Sequence, residues 1–264
     1  MTEGIEGKLA IVTGAGGGIG RATALRLARA GADVALLDID LGHGKKWGEA
    51  LTAESVVEEV RALGRRAFGF EADLGDRAKA TAAIRQAVAE LGGLDILVNV
   101  AGGAITNMET SFASITPDED MKTLFNANYA SAVNCSQAAV PVLRERGGGV
   151  IVNVSSPSGL HGSTTGSLAH YGACKAALNN FSQALAGEVG KDKIRVNVVL
   201  PGYTQSGRVA SLTQARGFNP IPTNALGRFP MPDDVARGIE FFCSDLATMV
   251  TGQMLAVDGG PSRG

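Results

Sequence analysis

A doubly wound α/β fold built on a parallel sheet is what this sequence predicts, on two observations. Short, continuously apolar runs alternate with helix-periodic segments along the chain, and the first run ends in a glycine-rich turn that opens a helix. Continuous apolarity means that both faces of each strand are buried, as in a parallel sheet covered by helices on either side. The 264 residues, 45% of them hydrophobic, suffice for a full core, and the unbroken alternation predicts a single domain over residues 1–264.

The elements follow in order. Leu9-Ala10-Ile11-Val12 reads as a first strand, and Ala22 to Ala30 as a helix carrying Leu25, Leu27 and Ala28 until Gly31 stops it. Val34 to Leu37 and Ala67 to Phe70 are the next strands, with a helix marked by Val56, Val57, Val60 and Leu63 between them. Asp95 to Val98, a long helix from Met121 to Leu143, Val150 to Val154, a helix through Lys175 to Val189, and Ile194 to Val199 continue the alternation. A helix over Asp233 to Leu246 and a strand over Met254 to Val257 complete a predicted seven-stranded sheet with helices on both faces. Two stretches break the pattern: Ile39 to Leu51, with Gly42, Gly44, Gly48 and Trp47, and Thr204 to Phe229, long enough for a substrate lid over 204–229. Both belong near the ligand edge of such a sheet.

Composition excludes several function classes. Lys and Arg total 24 against 26 Asp and Glu, with no block of like charge, which argues against a nucleic-acid partner. No apolar run approaches the ~18 residues of a membrane span, and no apolar leader precedes the first strand, so a soluble cytoplasmic protein without a membrane partner is expected. Cys135, Cys174 and Cys243 are widely spaced, and His43, His161 and His170 form no ligand pair, so the cysteines read as core residues and no metal site is expected. Cys174, between Tyr171 and Lys175, has no identifiable base and reads as a packing residue, and Trp47 as a loop anchor.

Four groups of residues carry chemistry. Tyr171 and Lys175 stand four residues apart in a helical segment, so they share a face one turn apart, and an ammonium there is expected to pull the phenol below its ordinary value. Ser155-Ser156-Pro157-Ser158-Gly159 lies upstream. Gly14, Gly18 and Gly20 form a G-x3-G-x-G turn between strand and helix, where backbone can approach a pyrophosphate favoured by the helix dipole. Asp38 closes the second strand at about the spacing expected of a carboxylate that holds an adenosine ribose.

With these residues in place the chain resembles the classical short-chain dehydrogenase/reductase family, from Lys8 to Gly260. Thr13-Gly14-x3-Gly18-x-Gly20 is similar to its cofactor turn, Asp73-Leu74 to its adenine-contacting pair, and Asn99-Val100-Ala101-Gly102 to its Asn-Asn-Ala-Gly motif with Val at the second position. Asn128 falls at its helix asparagine, Pro201-Gly202 at its turn after the sixth strand, and Val257-Asp258-Gly259-Gly260 at its C-terminal signature. The resemblance implies a Rossmann-type fold and a tetrad of Asn128, Ser156, Tyr171 and Lys175. It implies cofactor contacts from Gly14, Gly18, Ile19, Gly20, Asp38, Asp73, Leu74, Asn99, Ala101, Gly102, Tyr171, Lys175, Pro201, Gly202 and Thr204. In that tetrad Tyr171 is the general acid/base, Lys175 tunes it and holds the nicotinamide ribose, Ser156 binds the reacting oxygen, and Asn128 anchors a water that links Lys175 to solvent.

Spacing to the tyrosine alone selects Ser158, whereas the Ser-x-x-Gly motif through Gly159 selects Ser156 and places a two-residue insertion within His161 to His170; Ser156 is preferred, with Ser158 and Ser155 in reserve. The expected activity is NAD-dependent interconversion of a secondary alcohol and a ketone. The alternatives are an NADPH-dependent carbonyl or 3-oxoacyl reductase and a non-catalytic nucleotide-binding protein. Asp38 favours NAD over NADP, against a doubt raised by Lys45 and Lys46. The lid contributes Tyr203, Val209, Leu212, Phe218 and Ile221 with few charges beyond Arg208, Arg216 and Arg228, suggesting a modest, largely apolar ligand. A homotetramer, built partly from the Met121–Leu143 and Tyr171–Val189 segments, is implied by the resemblance.

Overall fold

A computed structural model of the chain describes residues 3–215 and 220–261; Arg216 and Phe218 of the lid segment lie outside them. Strands β1 (Leu9–Thr13), β2 (Asp33–Asp38), β3 (Ala67–Glu71), β4 (Ile96–Asn99), β5 (Gly149–Val154), β6 (Ile194–Pro201) and β7 (Met254–Val257) form one sheet in the order β3-β2-β1-β4-β5-β6-β7. Every pairing is parallel, with Val12 registered against Leu36 on one side and Val98 on the other. The chain runs outward from β1 in one direction and then, from β4, in the other, so a crevice opens above the carboxyl ends of β1 and β4.

Strand pleating divides the core in two. Ala10, Val12, Val34, Leu36 and Val98 pack on one face against α1 (Gly18–Arg29), α3 (Val56–Ala62) and α9 (Pro232–Cys243). Ile11, Ala35, Leu37, Leu97 and Ile151 pack on the other against α4 (Arg77–Leu91), α6 (Ser131–Glu145) and α7 (Ala169–Val189). Strands β1, β2 and β4 are buried throughout, whereas the edge strands β3 and β7 expose part of their length.

Three helices differ from the sequence pattern. The predicted Met121–Leu143 helix is α5 (Asp118–Phe125) and α6 joined by a π-helical turn over Asn126–Ala130, which no spacing of apolar residues announces. Such wide turns concentrate at functional sites, and this one carries Asn128. Helix α7 starts at Ala169, after Leu168 in the left-handed region (φ 56°), so Tyr171 stands in its first turn. Helix α9 ends at Cys243, because Ser244 is extended and its hydroxyl accepts from Leu246 N to start a separate 3-10 turn at Asp245–Ala247. The two irregular stretches also gain structure: α2 (His43–Lys46) in the first and α8 (Gly207–Ala215) in the second.

Candidate active site at the carboxyl edge of the sheet

The cofactor turn is shaped by close approach. A Cβ on Gly14 (φ 63°) would lie 2.8 Å from Ala101 N, and one on Gly20 would overlap the Gly14 carbonyl oxygen, so glycine lets the β1 turn, the β4 turn and α1 meet. Thr13 Oγ1 accepts from Val100 N at 3.1 Å and Ala101 N at 3.2 Å, tying the two strand ends across the crevice. Asp38 is buried, with Oδ2 accepting from Gly16 N at 2.8 Å and Oδ1 from Asp40 N at 3.2 Å, so the carboxylate faces the glycine turn.

Residues 39–51, an irregular stretch to sequence reasoning, cover this turn. Gly44 N donates to Gly16 O at 2.8 Å. Glu49 Oε1 accepts from Gly18 N at 2.8 Å and Gly207 N at 3.4 Å, so one carboxylate joins the N-termini of α1 and α8. Arg21 grips Glu59 through two bonds of 2.8 and 2.7 Å and reaches Glu49 at 3.4 Å and Ala50 O at 3.0 Å, bolting the stretch to α1 and α3. Glu49, Glu59 and Arg21 share no spacing that marks them in sequence. Lys46 pairs with Asp40 and Lys45 donates to Glu54 O, so neither lysine is directed at Asp38. Trp47 makes an edge contact with His43, and its carbonyl accepts from Ser211 Oγ at 3.3 Å, linking loop and lid.

The remaining cofactor candidates divide by the direction of their side chains. Asp73 is exposed and accepts from Gly75 N at 3.0 Å, while Leu74 is buried and its carbonyl accepts from Asn134 Nδ2 at 3.1 Å. Asn99 turns inward, donating to Asn153 Oδ1 at 2.8 Å and Ser136 Oγ at 3.1 Å, which leaves Ala101 and Gly102 to face the crevice. Thr204 is also buried and donates to Gly202 O at 3.0 Å, whereas Ser206, which sequence reasoning missed, stands over Gly18. Pro201 closes β6 opposite Val257, and Gly202 N donates to Val257 O at 3.0 Å.

The second half of the site stands on the end of β5 and the first turns of α7. Ser156 Oγ accepts from Ser158 N at 3.2 Å and its hydroxyl acts to lower the pKa of the Tyr171 phenol, while Ser155 Oγ donates instead to Lys175 O at 3.1 Å. Gly159 makes this possible: a Cβ there would come within 2.7 Å of the Lys175 carbonyl carbon, so only glycine lets the Pro157–Gly159 turn lie on α7. The extra length between Ser156 and Tyr171 is pinned separately, with Leu168 N donating to Ser111 O at 2.6 Å and Ala113 N to Gly166 O at 3.0 Å. Asn128 clamps one peptide: Oδ1 accepts from Gly103 N at 2.7 Å, and Nδ2 donates to Gly103 O and Leu124 O at 3.0 Å each.

The electrostatics correct one expectation. Lys175 is buried with Nζ donating to Val154 O at 3.0 Å and standing 5.8 Å from the Tyr171 ring centroid, and burial pushes its ammonium down to about 8. Tyr171 lies above its ordinary value rather than below it, because burial outweighs the Ser156 hydrogen bond and a cationic contribution that comes from Arg208. The physical reason is burial of the phenol, while the Lys175 ammonium donates to the Val154 carbonyl.

The anion bound by the α1 amides tests the fit of a dinucleotide. Glu49 supplies a carboxylate where backbone N–H groups and the helix dipole converge, so the turn accepts negative charge in this chain, as a pyrophosphate requires. Among the described residues, no cluster of three or more His, Cys, Asp or Glu side chains is arranged to hold a metal ion.

Comparison with known proteins places these features in a wider set. A family model described as enoyl-(acyl carrier protein) reductase matches residues 14–262. Cyclohexanol dehydrogenase of Rhodococcus sp. (strain TK6) is 41% identical over 97% of this chain and 96% of its own. A 3alpha-hydroxysteroid dehydrogenase of Mediterraneibacter gnavus is 39% identical over 97% of each chain. Among solved structures, a 7α-hydroxysteroid dehydrogenase complexed with NADH and 7-oxo glycochenodeoxycholic acid has a TM-score of 0.84 and 30% identity, covering 98% of this chain and 96% of that one.

Proposed function

The chain belongs to the classical short-chain dehydrogenase/reductase family and is an oxidoreductase of secondary alcohols and their ketones, and we propose that it uses NAD with Tyr171 as general acid/base. The observation that carries this reading is the gathering of Ser156, Tyr171 and Lys175 at one place, with Lys175 Nζ 5.8 Å from the Tyr171 ring centroid, at the carboxyl edge of the same sheet as the anion-accepting glycine turn. The nicotinamide, when bound, accepts or gives the hydride. Tyr171 takes the alcohol proton in oxidation and returns it in reduction. Ser156 donates to the substrate oxygen as charge develops there, and Lys175 supplies positive charge beneath the ring. Asn128 holds the Gly103 peptide; both of its Nδ2 hydrogens are taken, so a water relay from Lys175 has only acceptor oxygens of Asn128 to use.

The preference for NAD rests on Asp38. Its carboxylate faces the turn from a buried position, where a 2′-phosphate would set two negative groups together, and Lys45 and Lys46 are engaged elsewhere. The free, buried thiols of Cys135, Cys174 and Cys243 suit the cytoplasm. A homotetramer is supported by a partly exposed ring cluster of Phe125, Tyr129 and Phe181 on the helices expected to meet, and sedimentation velocity measures it directly.

The test is spectrophotometric. With a panel of secondary alcohols and NAD+, the wild type should generate NADH. Tyr171→Phe should lose roughly 10²–10⁴-fold in kcat with cofactor binding retained. Turnover by Tyr171→Phe near the wild-type rate would remove Tyr171 from the mechanism, and reduction confined to 3-oxoacyl thioesters with NADPH would replace this reading with the carbonyl reductase one.

A further inference from the structure

Arg208, near the start of α8, carries a charge that reaches the Tyr171 phenol. Its guanidinium packs on Gly103, at a place where any Cβ would collide with it. Gly103 is the residue whose peptide Asn128 clamps on both sides, so the surface beneath the guanidinium is rigid. The Tyr171 phenol lies near enough for the two charges to act on each other. The guanidinium thus stands on the turn after β4, within electrostatic reach of the Tyr171 phenol.

Its pairing sets it apart from other arginines of the chain. Arg21, Arg26, Arg144 and Arg228 each hold carboxylates. Among the described residues no carboxylate or carbonyl receives a hydrogen bond from Arg208, although the side chain is half-buried. A guanidinium cannot shed its charge in the physiological range, and a buried charge without a partner is costly, so a site that keeps one is built for an anion that arrives. Its planar fork matches a carboxylate with two parallel hydrogen bonds. The glycine turn draws one carboxylate, that of Glu49, to the Gly18 amide at the start of α1 and is where a pyrophosphate would be held, so the anion that reaches Arg208 is assigned to the substrate.

We propose that Arg208 sets substrate specificity by binding a carboxylate on the substrate, so that this enzyme interconverts a hydroxy acid and the corresponding keto acid. This rests on the dehydrogenase reading above. The carbinol carbon loses its hydride to the nicotinamide and its hydroxyl proton to Tyr171; the carboxylate is unchanged and serves as the handle. The apolar ligand suggested by the lid's composition is thereby revised to one with a single charged end.

The test compares pyruvate, 4-oxopentanoate and 5-oxohexanoate, each beside its methyl ester, as substrates for NADH-dependent reduction and as ligands of the NADH-saturated protein in calorimetry. At least one acid should exceed its ester by roughly 10- to 100-fold in kcat/KM and in affinity, the size of a charge-assisted hydrogen bond. Arg208→Met should erase that preference in kcat/KM and in affinity, over and above any fall in turnover that acid and ester share from losing a charge near Tyr171, with NADH affinity within about threefold of wild type, and Arg208→Lys should restore part of the preference. Esters equal to their acids in the wild type would overturn the inference, as would an acid preference that survives in Arg208→Met with NADH binding unchanged. Weakened NADH binding in Arg208→Met, with acid preference intact, would instead assign the guanidinium to the cofactor. Oxidation of neutral alcohols without any preference for acids sinks this inference alone, whereas absence of turnover with every alcohol and ketone counts against the dehydrogenase reading and leaves calorimetry to decide the role of Arg208.

Discussion

The corner around Tyr171 and the loop that covers the glycine turn treat charge in opposite ways. Around Tyr171, Lys175 is buried with only a carbonyl for a partner, and Arg208 has none among the described residues. Around the glycine turn, Arg21, Glu49 and Glu59 form a closed network, and Lys46 holds Asp40. A corner that leaves charges uncompensated has stored interactions for a ligand, at a cost in folding stability. A loop whose charges are mutually satisfied has its interactions spent within the protein, and a cofactor must displace them.

The largest effect should fall in the corner. Ser156→Ala should lose about 10²–10³-fold in kcat, since the bond to the reacting oxygen strengthens with developing charge, while Ser158→Ala, which removes no contact with Tyr171, should lose only a few-fold. A reversed order would mean that the pairing seen between Ser156 and Tyr171 is not the working one. Next comes Asp38→Ala, which should narrow the ratio of kcat/KM for NAD+ over NADP+ by roughly 10- to 100-fold, the worth of a charge-assisted hydrogen bond. An unchanged ratio would show that Asp38 serves only Gly16 and Asp40.

Smaller effects sharpen the contrast. Glu49→Gln weakens the anion that already holds the α1 amides, so the KM for NAD+ should fall by roughly two- to fivefold, the scale of one charge at a helix N-terminus. A higher KM would mean that Glu49 helps to hold the loop around the bound cofactor instead of competing with it. The smallest test is of stability against pH. Below pH about 8 Lys175 is charged in folded and unfolded chains alike, and the burial cost stands in full. Between about 8 and the ordinary 10.5 the folded chain has released a proton that the unfolded chain keeps, so stability rises with pH across that window. The Tm of the wild type should therefore climb relative to Lys175→Met as pH is raised through it, by a few degrees at about 2–4 °C per kcal/mol. A constant difference between the two would show that the ammonium is solvated in solution.

The sequence by itself determined the sheet, its seven parallel strands and the order of motifs along its carboxyl edge, because buried strands and glycine turns are local patterns with a fixed period or spacing. It also brought Ser156, Tyr171 and Lys175 to one place, since a Ser-x-x-Gly turn and one helical turn are short-range geometry. Tertiary structure alone decided what those residues face. Arg208 from the lid adds its charge to that of Lys175 near the Tyr171 phenol; Asn99 and Thr204 turn inward; a π turn aims Asn128 at Gly103; and Glu49 crosses from an irregular loop to the Gly18 amide at the start of α1. Each of these depends on contacts between segments far apart in the chain, where no periodicity relates one residue to the other. Burial, which sets the ionisation of Lys175 and Tyr171, exists only once those segments have packed.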